Sequence, residues 1–186
     1  MGHTEQATRD KERTRKAIID AATLMISERG AGVSLADIAT RAGVSKGALT
    51  HHFASRSALE DAVLADAVSR LWAEVHAHVD LSENRPGKLL RGYIRAVTSD
   101  SAIMREIFSP TSVLMVLGAG RPVEELLERD AETWRAAFAQ DGLDESTSLI
   151  LRLAAEGLAS SADTPYVTTQ ELKNARARLL QLAEAE

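Results

Sequence analysis

Residues 34–53, SLADIATRAGVSKGALTHHF, read as two short helices joined by a tight turn. Ser34 opens the first, since its hydroxyl can accept a backbone N–H of the first turn, and Asp37 three residues on approaches a capping-box spacing. Leu35, Ile38, Ala39 and Ala42 fall on one apolar side. Gly43 ends this helix, because glycine enters the left-handed conformation of a helix stop without a steric penalty. Val44 fills the turn and Ser45 caps the second helix. There Leu49, His52 and Phe53 are spaced to face inward, which leaves Lys46, Gly47, Thr50 and His51 facing outward.

Upstream, a helical period starts at Thr14 and places Ile18, Ile19, Ala22, Met25 and Ile26 on one face, until Gly30 and Gly32 stop it. Residues 1–12 are polar and are expected to fray. Downstream, Ser55 caps a long helix carried by Leu59, Val63, Leu64, Ala67, Val68, Leu71, Trp72, Val75 and Val79 to about residue 80. Breaks at Asn84–Gly87, Ser109–Pro110, Gly118–Pro122, Asp141–Gly142 and Asp163–Pro165 leave helices near 87–99, 101–108, 110–118, 122–140, 144–161 and 168–184. No segment reads as a strand. The expected fold is all-α with about nine helices: an N-terminal three-helix head over 1–56 containing the helix-turn-helix, joined by the long helix to a helical body over 57–186.

Composition agrees. The 186 residues are 45% apolar and only 4% aromatic, with few Gly and Pro, which suits packed helices. Without cysteine, disulfides and thiolate-bound metals are excluded. No apolar run is long enough for a membrane span and the N-terminus is not signal-like, so a cytoplasmic protein with no membrane partner is expected. The net charge of −5 is unevenly spread: residues 1–56 carry nine Lys/Arg against six Asp/Glu, a balance of +3, and residues 57–186 carry thirteen against twenty-one, a balance of −8. A basic head on an acidic body suits a chain that presents one end to a polyanion.

Two short helices about a glycine turn form the helix-turn-helix, whose second helix lies in the DNA major groove, where each base pair shows its own donor and acceptor pattern. Residues near the start of that helix must be small or polar so that the backbone can approach. Lys46, Gly47 and Ala48 meet that need, followed by Thr50 and His51. Ser34, Thr40, Ser45, Ser55 and Arg56 are placed to serve phosphates near helix starts. The expected partner is therefore double-stranded DNA. His76 and His78 point to nearly opposite sides of a helix, so no metal site is expected from them. There is no nucleophile elbow and no phosphate loop, so no catalytic residue or cofactor is expected and the enzyme class is set aside; a head used for protein contact is disfavoured by its basic, outward-facing residues.

The run from Ser34 to Phe53, followed by Ser55, Arg56 and Leu59 and preceded by Ile18–Ala22 and Glu28–Gly30, closely resembles the signature of TetR-family transcriptional regulators over residues 14–64. Three positions depart from the family pattern: Thr50 stands where Tyr is usual, Arg56 where Lys is usual, and Ile26 where Phe is usual. The resemblance implies a DNA-binding regulator, most often a repressor, that pairs as a homodimer on a near-palindromic operator. It also implies a helical ligand-binding and dimerising body.

For that body, the large side chains Trp72, Tyr93, Met104, Phe108, Met115, Trp134 and Phe138, with His76 as a polar handle, are the candidate lining of a pocket for a small apolar ligand. The resemblance also implies pairing through late helices, and Leu149, Ile150, Leu153, Ala154, Gly157 and Leu158 are the candidate dimer contacts.

Overall fold

A computed structural model describes residues 2–109, 111–117 and 121–184, with side chains for these except 2–5 and 121–124. Every regular element among the described residues is a helix: α1 Gly2–Arg29, α2 Leu35–Arg41, α3 Lys46–His52, α4 Arg56–Ala77, α5 Lys88–Val97, α6 Ala102–Phe108, α7 Val113–Leu117, α8 Arg121–Gln140, α9 Glu145–Ser161 and α10 Thr169–Leu182. The expected breaks at Pro110 and Gly118–Gly120 fall outside the described residues.

The chain divides into two compact units. The first holds residues 1–67 together with 111–127. Ser34 accepts the Asp37 N–H at 3.1 Å to cap α2, and Ser45 accepts the Ala48 N–H at 3.0 Å to cap α3. Between them Gly43 has φ +69°, the left-handed conformation that the tight turn requires. Ile18, Ile26, Ile38, Leu49, Leu59, Val63 and Leu64 make the solvent-free core, where deleting a single large side chain typically costs about 2–5 kcal/mol. α7 brings Val113 and Leu117 into this core, so residues 111–127 pack with the head in addition to the 1–56 segment seen in the sequence.

α1 differs from the expected frayed start by being helical from Gly2. Residues 6–13 are almost entirely exposed and make no hydrophobic stripe. The helix there rests on propensity and on local bonds such as the Arg13–Asp10 ion pair at 3.1 Å and Thr14 Oγ1 donating to the Asp10 carbonyl at 2.9 Å. An amphipathic-period reading has no signal for such a turn.

The second unit holds residues 68–110 and 128–186. α5 is its axis, with Leu90, Tyr93, Ile94, Ala96 and Val97 buried. The Asp141 carboxylate accepts the Leu89 and Leu90 N–H groups at 2.7 and 2.9 Å, placing negative charge at the positive end of that helix. Arg91 is fully buried. It pairs with Glu83 at 2.6 Å and donates to the carbonyls of Pro86 and Ala183 at 2.8 and 2.7 Å, tying the end of α10 to the start of α5.

Candidate nucleic-acid interface and body sites

On α3, Lys46, Gly47, Thr50 and His51 are exposed, while Leu49 and Phe53 are buried beneath them. The internal packing does not explain the glycine: a Cβ on Gly47 would meet nothing nearer than Ser45 Oγ at 3.9 Å.

The hydroxyls of the head divide by where their hydrogens go. Thr50 Oγ1 donates to the carbonyls of Gly47 and Lys46 at 3.0 and 3.2 Å, so outwardly it offers lone pairs and a methyl group. Thr40 Oγ1 donates to the Ala36 carbonyl at 3.0 Å and Ser34 Oγ to Asp37 Oδ2 at 2.7 Å, which leaves neither free to donate to a phosphate in this arrangement. Ser45 and Ser55 only accept, from Ala48 and Ala58 N–H at 3.0 Å each, and retain their own donors.

Arg56 is engaged within the head. Its Nε pairs with Glu60 at 2.7 Å, Nη1 donates to the Val33 carbonyl at 2.6 Å, and Nη2 bonds the Ala31 carbonyl. It fixes the loop before α2 onto the start of α4.

The electrostatics are positive at the end of α3. Arg15 lies 4.7 Å over the Phe53 ring. His52 is held below its ordinary pKa first by desolvation and then by the positive surroundings of His51, Lys11 and Arg15. A polyanion would offset that charge. Lys11 and Arg15 on α1 thus belong to the same field; the high share of basic residues over 9–16 was their only signal in the sequence.

In the second unit, Trp72 and Trp134 stack at 3.7 Å between ring centroids, Phe138 stacks on Trp134 at 5.5 Å, and Tyr93 meets both edge-on. His76 stacks on Trp72 at 5.3 Å. The polar ends are satisfied, with Trp72 Nε1 donating to Asp130 at 2.8 Å and Tyr93 to Glu156 at 2.6 Å. Burial, ahead of the nearby Glu156 carboxylate, pushes the Tyr93 hydroxyl far above its usual pKa, so it remains a donor. These five candidate residues form one cluster packed ring on ring. Met104 and Phe108 lie on α6, the former buried, while Met115 stands exposed on α7 in the first unit.

A separate cleft of about 140 Å³ opens beside Met104, between residues of α5–α6 and α9–α10. The sequence reading did not single out its charged residues Arg105, Lys173 and Arg176, whose spacing resembles any solvated helix face.

α9 shows two faces. Ser148, Leu151 and Ala155 are buried, whereas Leu149, Ile150, Leu153, Ala154 and Gly157 are exposed in a continuous stripe, Ile150 at 64% and Leu153 at 56%; Leu158 is half-buried at its edge. Neither a group of three metal-ligating side chains nor a helix long and apolar enough to cross a membrane occurs among the described residues.

Known proteins match this architecture. Residues 18–63 match the model described as bacterial regulatory proteins, tetR family, and residues 87–184 match the tetracyclin repressor-like C-terminal domain. The HTH-type transcriptional regulator BetI of Burkholderia thailandensis is 32% identical over 94 residues, which cover 50% of this chain and 48% of that protein. The alignment thus spans about half the length of this curated relative. Among solved structures, a transcriptional regulator from Rhodococcus sp. Rha1 superposes with a TM-score of 0.70 at 22% identity, covering 93% of this chain and 95% of that one. The multidrug binding protein EbrR, complexed with imidazole, superposes at 0.61 with 27% identity, covering 92% and 90%. With a family model over each part of the chain and the helix-turn-helix in place, the protein belongs to the TetR family of DNA-binding bacterial transcriptional regulators.

Proposed function

We propose that the chain is a ligand-responsive repressor, acting in the cytoplasm, which binds a near-palindromic operator as a homodimer and releases it when a small, mostly apolar molecule binds the body. The observation that carries the DNA reading is the outer surface of α3: exposed Lys46, Thr50 and His51 around a glycine that the interior does not need. Lys46 and the donors of Ser45 and Ser55 serve phosphates. Thr50 and His51 face base edges. With its hydrogen turned inward, Thr50 offers an acceptor to the amino group of adenine or cytosine and a methyl to thymine. Arg56 serves as a positioning residue for the loop before α2.

The exposed stripe of α9 supports pairing, because a self-complementary apolar face suits a twofold contact. Two heads would then meet successive major grooves, roughly 34–36 Å or somewhat more apart. EbrR, described as a multidrug binding protein with imidazole bound, supports a ligand site in the body. Only a difference in ligand affinity between DNA-competent and incompetent states can move operator binding.

The test is a fluorescence-anisotropy titration of duplex DNA across a salt series. Lys46→Ala is expected to weaken binding to all sequences and to reduce the salt slope by about 0.9 for one lost phosphate contact. An unchanged slope and affinity would remove Lys46 from the interface.

A further inference from the structure

The cleft of the second unit differs from the aromatic cluster in its charge. Its wall is apolar at Val97 and Met104, both buried, and at Leu158 and Leu172, both half-buried. Arg105, Lys173 and Arg176 also line it, with Asp100 the single carboxylate. Residues 57–186 carry an excess of acidic groups, yet none of these three cations forms an ion pair among the described residues. Arg176 Nε is shielded from solvent and donates to no acceptor among the described residues. A shielded guanidinium N–H without an acceptor is unfavourable, and such a group is normally satisfied by a carboxylate or phosphate.

We infer that this cleft binds a small carboxylate with an apolar body about the size of one ring. The carboxylate takes the guanidinium of Arg176 and the charge of Lys173, and the ring lies against Val97, Met104, Leu158 and Leu172. The size follows from the volume: a cavity of roughly 150 Å³ admits a benzene ring, and this cleft measures about 140 Å³. The apolar wall selects against a bare inorganic anion, and the unpaired cations select against a neutral ring. That occupancy also governs the operator rests on the ligand-responsive reading above; the binding site does not.

The test uses the full chain labelled with 13C at its methionine methyls and titrated with sodium benzoate, benzyl alcohol or inorganic phosphate. Benzoate is expected to shift the Met104 methyl saturably while Met25, in the core of the first unit, and exposed Met115 stay in place. Arg176→Gln, and independently Lys173→Gln on the exposed side of α10, should each weaken benzoate by about tenfold or more, with Trp72 and Trp134 fluorescence reporting an intact second unit. Benzyl alcohol and phosphate should bind correspondingly less well.

A Met104 methyl unmoved by benzoate, a response to benzyl alcohol as strong as to benzoate, or indifference to both substitutions overturns the proposal. So does a change of Arg176→Gln from dimer to monomer in sedimentation with benzoate binding intact, which would assign the cations to a subunit contact. Release of the operator by another ligand class with Met104 silent would overturn this site and leave the regulator reading standing. A Met104 shift with operator affinity unchanged would support the site and remove its regulatory role.

Discussion

Arg56→Ala separates two roles that the sequence cannot tell apart, a phosphate contact and a clamp within the head. The structure gives the clamp a magnitude. The pair with Glu60 is an i, i+4 contact with side-chain exposures of 38% and 24%, worth about 0.3–0.5 kcal/mol. The bond to the Ala31 carbonyl is at an exposed residue and adds little. The bond to Val33 is different, because Val33 is buried at 6% exposure and its carbonyl loses a charged donor. Hydrogen bonds of that kind contribute about 1.5–3 kcal/mol.

Together these give about 2 kcal/mol of local stability, which corresponds to roughly a 30-fold increase in opening of the loop and α2. Amide hydrogen exchange by mass spectrometry reads this directly. Peptides over residues 30–42 should exchange about 30-fold faster in the variant, since exchange follows local opening free energy, while peptides of α5 and α9 should not change. Operator affinity should fall, but the slope of affinity against salt should stay as in the parent. A slope reduced by about 0.9 with exchange over 30–42 unaltered would place the guanidinium on a phosphate and refute the clamp.

Two further outcomes follow from the second unit. Leu153→Asp puts a charge into the exposed apolar stripe of α9 and should convert a dimer to a monomer in sedimentation with helix content unchanged; an unaltered dimer would move the interface elsewhere. Burial pushes the Glu83 carboxyl up, but hydrogen bonds and charge from Arg95 and Arg91 outweigh it and hold it below its ordinary value. Its stabilisation is therefore present above the unfolded pKa of about 4.3 and is lost as pH falls through the lower, folded value. Glu83→Gln should cost about 3 kcal/mol at neutral pH by leaving Arg91 buried and unpaired, and should remove part of the acid loss seen through Trp72 and Trp134 fluorescence; an unchanged midpoint at pH 7 would contradict this.

The head was legible because its signals are local. Serines at 34 and 45 reach N–H groups three residues on, and Gly43 stands where the turn demands a positive φ. The start of α1 was not legible because a helix held by propensity and polar pairs has no apolar period to read. Arg91 was hidden among the amphipathic residues of α5, since its partners at Glu83, Pro86 and Ala183 meet it only after folding. The same is true of α7: the apolar run from Val113 to Leu117 announces burial but not the core of the first unit as its destination. For the aromatic residues, side-chain size marked them as candidate pocket lining, yet whether rings enclose a void or stack on one another depends on rotamers that composition does not encode. Arg105, Lys173 and Arg176 come together at one cleft only after folding, with no ion pair among the described residues.

If the outer surface of α3 reads DNA, in vitro selection from a random duplex library will recover the sequence it recognises. The parent chain is expected to enrich a near-palindrome whose half-sites are spaced for two α3 helices in successive major grooves. Gly47→Leu, whose Cβ would meet nothing nearer than Ser45 Oγ at 3.9 Å, should keep the fold and the dimer yet enrich nothing, because the added bulk holds the helix off the groove. Enrichment of the same palindrome by Gly47→Leu, or no enrichment by the parent chain, would contradict the account.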